Sequence, residues 1–434
     1  MGQTSWSLGP EPRGRPLAMT PVTPSRSVAD QTQSLVRTLA LTTFLLWVGA
    51  SSILPLLPEY LRHRGASDAL VGIVMASYFV TALAFQYPAG RLADKVGRRP
   101  VLIAGLLVYA IGSFGFLAPV GPAVDIVMRG LQGAGAGAAE VSSLAMIAGA
   151  VDLERRGRAF ASIYGAQLAA MAIGPLAGSL IGHSTMNIVF VCAGVVALGA
   201  CLPAVAGSAV ASGDAGFNTA DRRVLGGLPQ LNRSLIGSLC AAAALGLVIG
   251  VYESCWTLLL ESHHAHDWQI GLSWTLFAVP FVAMARPGGW LADHTDRRWL
   301  VVGALTSSVG FCATYPFIDS LTMLLVLGGI EALGMAIALP AAQSLLTQGS
   351  PERELGRVQG LFSTSETAAI ALSAGVGGAL FGLARWAPFI AGAIGAALFT
   401  AALPLIWWSE TGKASQVDVT HHDLVSDGPT ILQA

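Results

Sequence analysis

The sequence predicts an all-α membrane protein: twelve transmembrane helices in two six-helix halves related by an internal repeat. Three observations predict it. Hydrophobic residues make up 53% of the 434 positions and charged residues only 11%, with 51 glycines, which does not describe a water-facing globule with a charged shell. Apolar runs of about 20 residues recur along the chain, each long enough at about 1.5 Å per residue to cross a hydrocarbon core of about 30 Å. Finally, one stretch of the first half returns, recognisably, in the second.

The first six spans are expected at Val36–Leu57, Ala69–Gly90, Pro100–Ala118, Pro122–Ala148, Ala159–Gly182 and Asn187–Ser208. The second six follow at Ser234–Leu260, Gln269–Trp290, Trp299–Asp319, Ser320–Thr347, Val358–Leu383 and Trp386–Trp408. Residues 1–35 and 409–434 are polar and read as disordered cytoplasmic tails, and 209–233, polar and Gly-containing, as the linker between the halves. Cytoplasmic loops of membrane proteins carry the Lys/Arg excess. With the N-terminus inside, 20 of the 24 basic residues lie in tails, inner loops or inner span ends, and Arg62, Arg64 and Arg385 face outside. Both termini are therefore expected in the cytoplasm of a bacterial inner or plasma membrane. Arg129 falls within the fourth span, where an ionisable group is costly unless it faces a partner or water. The five cysteines lie in apolar stretches without metal-ligand spacing and read as small packing residues, so neither disulfides nor a metal site is expected from them. A net charge of −1 gives no footing for nucleic acid.

The repeat has an offset of 199 residues. PAGRLADKVGRR at Pro88–Arg99 matches PGGWLADHTDRR at Pro287–Arg298 in seven of twelve positions. The same offset sets Gln132 against Glu331 and Gln167 against Glu366. Parallel six-span halves are one arrangement of secondary transporters, which hold the substrate site between the halves near mid-membrane.

At these residues the chain resembles the major facilitator superfamily, over nearly all its length between the tails. GRLADKVGRR fits that family's loop signature between spans two and three through Gly90, Asp94, Lys95, Gly97, Arg98 and Arg99. The second copy keeps Asp293, Arg297 and Arg298 but has His294 for the basic residue and Asp296 for the second glycine. The resemblance implies that Asp94 and the arginines hold the inner ends of the halves together in the outward-facing state. Asp152 or Glu154 in the next inner loop are their expected acidic partners. Arg129, Gln132 and Gly133 resemble the family's fourth-span motif. Arg129, Gln132, Glu140 and Ser143 fall on one polar stripe of that helix, which is expected to line a wet cavity. In span five, Ala170, Gly174, Pro175 and Gly178 resemble the signature of the family's drug and proton antiporters, with Ala170 in place of its first glycine; independently, small residues four apart make a helix-packing face.

The second half adds Glu253, Glu331 and Glu366, and places Tyr252 and Trp256 on one face of span seven. With Gln167, Glu140 and Arg129 they are the expected cavity residues, and Glu366, Glu331 and Glu140 the candidates for carrying a proton. His263, His264 and His266 in the outer tract ESHHAHD read as an ordinary polar loop, metal binding or pH sensing being the alternative. No phosphate-cradling Gly-Lys-Ser/Thr loop, zinc-protease helix or nucleophile–base pair is present, so no enzyme and no resident cofactor is expected. The expected partners are lipid, protons and a small-molecule substrate, with the protein monomeric. Three functional classes remain open on sequence: an exporter by proton antiport of amphipathic, drug-like or metabolite molecules; an importer of a small neutral solute; and a non-transporting receptor or assembly partner. The antiporter-like fifth span favours the first.

Overall fold

The computed structural model describes residues 26–118, 120–151, 153–206, 231–284, 287, 290–291, 294–347 and 355–408. Most of the expected linker and of the first expected tail and all of the second, with Asp152, Asp293 and the side chain of Glu154, lie outside the described residues. The first half contains α1 (Arg26–Ile53), the short α2 (Leu57–His63), α3 (Asp68–Val96), α4 (Arg98–Gly115), α5 (Pro122–Ala150), α6 (Leu153–Ile181) and α7 (Met186–Ala206). The second contains α8 (Arg233–Val251), the short α9 (Thr257–Ser262), α10 (Asp267–Ala283), α11 (Arg297–Thr314), α12 (Leu321–Thr347), α13 (Leu355–Leu383) and α14 (Ala387–Trp407). Twelve of these are long and stand where spans are expected. Nine stretches combine the length and apolarity of a crossing without reservation among the described residues. The α5 helix is not among them: Arg129, Gln132, Glu140, two serines and its glycines lower its mean hydropathy.

Helices outrun the apolar stretches that nucleate them. The first begins at Arg26 and the third runs on to Val96, because backbone hydrogen bonding continues into the polar layer after hydropathy has fallen. The turn between α3 and α4 is a single residue, Gly97 at φ 100°, a backbone region that side chains with a Cβ rarely enter. That geometry explains why the loop signature needs a glycine there. The seventh span is interrupted between α8 and α9 by a π-helical turn over Tyr252–Trp256, which re-aims the YESCW side chains relative to a regular helix.

The halves meet through two equivalent pairs of helices on the face opposite the termini. Near the start of α3, Gly72 lies against Gly378 of α13, where a Cβ on Gly378 would run into the Asp68 carbonyl and the Gly72 backbone. Gly271 of α10 packs in the same way against Pro175 and Ser179 of α6. Gly72 and Gly271 are repeat mates, and so are Ser179 and Gly378. The contact between halves is therefore made twice, by the same two places of the repeat, as a two-fold relation requires. Arg62 of α2 adds an ion pair to its own repeat mate Glu261 at 3.0 Å.

Candidate functional site

The loop-signature arginines sit at helix ends. Arg98 is 5% exposed and donates to the Ala145 carbonyl at 2.7 Å, near the C-terminal end of α5, while Gly149 leaves room for its guanidinium. Arg99 donates to the Ala204 carbonyl at 3.0 Å and to that of Val205, in the last turn of α7. In the second copy, Arg298 donates to the Trp407 carbonyl at 2.7 Å at the end of α14 and lies over the Trp408 ring. For Arg99 and Arg298, a cation placed on the free carbonyls of a helix C-terminus is favoured by hydrogen bonding and by the helix dipole; Arg98 binds one turn further in. In this conformation these arginines bind helices of their own half. Asp94 and Lys95 are exposed on the last turns of α3, and Gly90 lies against Val141 of α5.

The fourth-span motif builds a polar hub inside the first half. Arg129, 2% exposed, lies 4.6 Å from the centre of the Tyr78 ring and donates to Gln132 Oε1 at 2.8 Å. Gln132 in turn donates to Ser113 Oγ of α4 at 3.0 Å. The second half has a hub between the corresponding helices α11 and α12. There Glu331, 1% exposed, accepts from the Tyr252 hydroxyl at 3.0 Å, from Tyr315 at 2.7 Å and from Ser308. Trp256 closes this hub, edge-to-face with Tyr315 at 5.0 Å between ring centres, and donates to Ser273 Oγ at 2.9 Å. The cavity beside it is apolar but for Glu331 and a few hydroxyl and indole groups, with Trp274 and Phe277 on its wall.

The remaining acids divide by exposure. Glu253 is buried, its Oε2 lacks a partner, and it lies within electrostatic reach of Arg129 across the two halves. Glu140 and Glu366 are only half-buried. They lie within electrostatic reach of one another and of Tyr164, though α5 and α6 belong to the first half and α13 to the second. Glu140 and Tyr164 share their cleft with Ser143 and Gln167. The structure thus joins Glu140, Gln167 and Glu366 in one region, and Arg129 with Glu253 in another. Glu331, Tyr252 and Trp256 form a third cluster within the second half. Along α6, Ala170 accepts from Ser51 of α1, and Gly174 and Gly178 press on the α1 backbone, while Pro175 and Ser179 face α10.

Sequence reasoning missed Tyr164, Ser308 and Tyr315. Tyr164 stands one helical turn before Gln167, a spacing that points to it, but nothing in the sequence ties Tyr315 to Tyr252. It also missed a cluster on the face opposite the termini. Two carboxylates converge on His183 Nδ1 there, Glu59 at 3.2 Å and Asp267 at 3.0 Å, and His63 stacks on His183 at 4.7 Å. Burial, with Asp267 beside it, pushes the Glu59 carboxyl up to about 7. The histidine tract of ESHHAHD is used otherwise: His263 lies against the Leu259 carbonyl, and His266 caps α10.

Comparison with known proteins bears on the whole chain. It is 27% identical over 371 residues to the inner membrane transport protein YajR of Escherichia coli K12, covering 81% of this chain and 78% of that one. Shorter matches reach a chloramphenicol resistance protein of Pseudomonas aeruginosa (32% identical) and the multidrug resistance protein MdtL of a Shewanella species (30%); each covers about a third of this chain and 32% of the relative. Among solved structures, the nucleoside transporter NupG superposes with a TM-score of 0.69 at 14% identity, covering 86% of this chain and 99% of that one. A bacterial homologue of the human lysosomal transporter Spinster, inward-facing and unoccupied, gives 0.65 at 15% identity over 87% and 95%. Residues 39–231 and 234–424 both match the sequence profile of the Major Facilitator Superfamily, and on that ground, with the repeated signature and the paired halves, the chain belongs to this family of membrane transporters.

Proposed function

We propose that the protein exports amphipathic neutral or cationic small molecules across a bacterial plasma membrane, both termini cytoplasmic, by alternating access coupled to proton entry. The observation that carries this reading is that Glu140 and Glu366, from opposite halves and both half-buried, lie within electrostatic reach of one another and of Tyr164. A proton carrier needs a carboxylate that solvent reaches and that changes its neighbours when the halves move. Glu366 meets that description. Glu331 fits it less well, because it is 1% exposed and already accepts from three hydroxyls of its own half. Glu253 is buried and has Arg129 as its neighbouring cation, so it lacks the access to solvent that a carrier needs.

Four acids against Arg129 in the spans disfavour multiply anionic cargo, whose charges need more cations than the described interior offers. The aromatic wall of Tyr252, Trp256, Trp274 and Phe277 beside Glu331 suits an apolar or cationic ring. Two relatives carry names of drug resistance, which supports export, each over about a third of its length.

The test loads proteoliposomes with a lipophilic cation such as ethidium, imposes a pH gradient, and compares wild type with Glu366→Gln, Glu331→Gln and Glu140→Gln. Wild type is expected to move the dye against its gradient while the pH difference lasts, and Glu366→Gln to lose that coupling. Transport indifferent to both the gradient and a protonophore overturns the antiport.

A further inference from the structure

We propose that Glu59, His63, His183 and Asp267 form a binding site for a zinc-type divalent metal ion on the face opposite the termini, and that the bound ion fastens the two halves together there.

Zinc is held by imidazole nitrogens and carboxylate oxygens at about 2.0–2.2 Å, so the donors of a tetrahedral site stand roughly 3.4 Å apart. The donors here are already close to that spacing. His183 Nδ1 lies 3.2 Å from Glu59 Oε1 and 3.0 Å from Asp267 Oδ1, and His63 Nε2 lies 3.7 Å from Glu59 Oε1. The donor atoms of Glu59, His63 and His183 all fall within 4.8 Å of one another; Asp267 stands outside that trio and reaches it through His183 Nδ1 at 3.0 Å. His63 is the exposed member, so its ring is free to swing the last distance, while the other donors rest on fixed backbone.

A second observation points to a ligand. Glu59 is 6% exposed, and its Oε2 has no hydrogen-bond partner. A buried carboxylate oxygen without a partner is costly; Oε1 is the oxygen that faces the histidines, and a cation chelated by both oxygens satisfies Oε2 as well. Two imidazoles with two carboxylates select a borderline metal such as zinc over magnesium or calcium, which favour all-oxygen sites.

The donors come from separate elements. Glu59 and His63 lie on α2, His183 just before α7, and Asp267 at the start of α10, in the second half. Asp267 also accepts the His183 backbone N–H at 2.8 Å, and the Arg62–Glu261 pair bridges the same face. An ion bound by all four therefore favours the conformation in which this face is closed. The inference is independent of the cargo and of the proton carrier.

The experiment is zinc titration of the full-length protein in detergent by isothermal calorimetry, with magnesium and calcium as comparators, alongside thermal unfolding with and without zinc. Wild type is expected to bind one zinc with a dissociation constant on the order of micromolar, to ignore magnesium and calcium at the same concentrations, and to unfold at a higher temperature with zinc present. His63→Gln and His183→Asn should each weaken binding by about tenfold or more. His63→Gln changes an exposed side chain and serves where His183→Asn fails to fold. Asp267→Asn should reduce the zinc-dependent rise in unfolding temperature. His263→Ala/His264→Ala, which alters the neighbouring histidines, should bind as wild type does. No saturable binding below 1 mM zinc, or binding lost in His263→Ala/His264→Ala and kept in His63→Gln, overturns the proposal.

Discussion

At the scale of single residues, the same side chain serves differently according to what surrounds it. Glu331 accepts from three hydroxyls on α11, the turn after α11 and the π-helical turn after α8, which makes it a hub of the second half. Glu331→Gln is expected to lower stability by about 1–3 kcal/mol, the cost of disturbing a buried hydrogen-bond network. Tyr315→Phe, which removes one donor of the three, should cost about 1 kcal/mol. Thermal unfolding of the purified variants checks both, and a Glu331→Gln protein as stable as wild type contradicts the hub. Glu366 has another character, half-buried and close to Glu140. Glu366→Gln should leave the unfolding temperature nearly unchanged and remove the response of transport to a pH gradient. The presence of these acids was legible in the sequence. Their division into a hub and an accessible pair was not, because it depends on Tyr315 and Tyr164 arriving from other helices.

Among elements, the helix ends and the close contacts decide what can move. Arg98, Arg99 and Arg298 hold helix C-termini within their own halves, which leaves Asp94 as the member of the signature to test for coupling between conformations. Asp94→Asn, on the exposed last turn of α3, is expected to express and fold as wild type does and to slow transport by at least about tenfold. Wild-type transport rates in vesicles rule the gating role out. On the opposite face, Gly72 and Gly378 let α3 and α13 touch backbone to backbone. A leucine at Gly378 has no flexible neighbour to displace, only the Asp68 carbonyl and the Gly72 backbone, so the two helices must separate. Gly378→Leu should therefore expose this face, read as faster labelling of a cysteine introduced at Ala76 beside Gly375. Unchanged labelling means that the contact does not control closure.

The whole molecule is two copies of one design facing each other. Arg62 and Glu261 are repeat mates and form an ion pair at 3.0 Å, so exchanging their charges should preserve the contact. Both side chains are partly exposed, and such a pair is worth about 0.2–1 kcal/mol. Arg62→Glu is expected to slow transport by a few-fold through repulsion from Glu261, with recovery in Arg62→Glu/Glu261→Arg. Asp68, which also pairs with Arg62 at 3.3 Å, limits the recovery, because the exchange sets a second carboxylate against it. A single variant indistinguishable from wild type shows that this ion pair does not control closure.

The sequence by itself determined the number and order of the spans, the relation of the halves and the place of the signature loop. Each is written along the chain, as apolar length, as a fixed offset and as residue spacing. A glycine was demanded at position 97 because the backbone there turns at positive φ, a local constraint. The tertiary structure alone decided which polar groups meet. Arg129 finds Tyr78 and comes within electrostatic reach of Glu253, Glu140 comes within reach of Glu366, and Glu59 and Asp267 both find His183, all across distances at which sequence carries no periodic signal. In lipid, the spacing of side chains along one helix is fixed by its geometry, but the partner on the next helix is fixed by packing, and packing is a property of the assembled bundle.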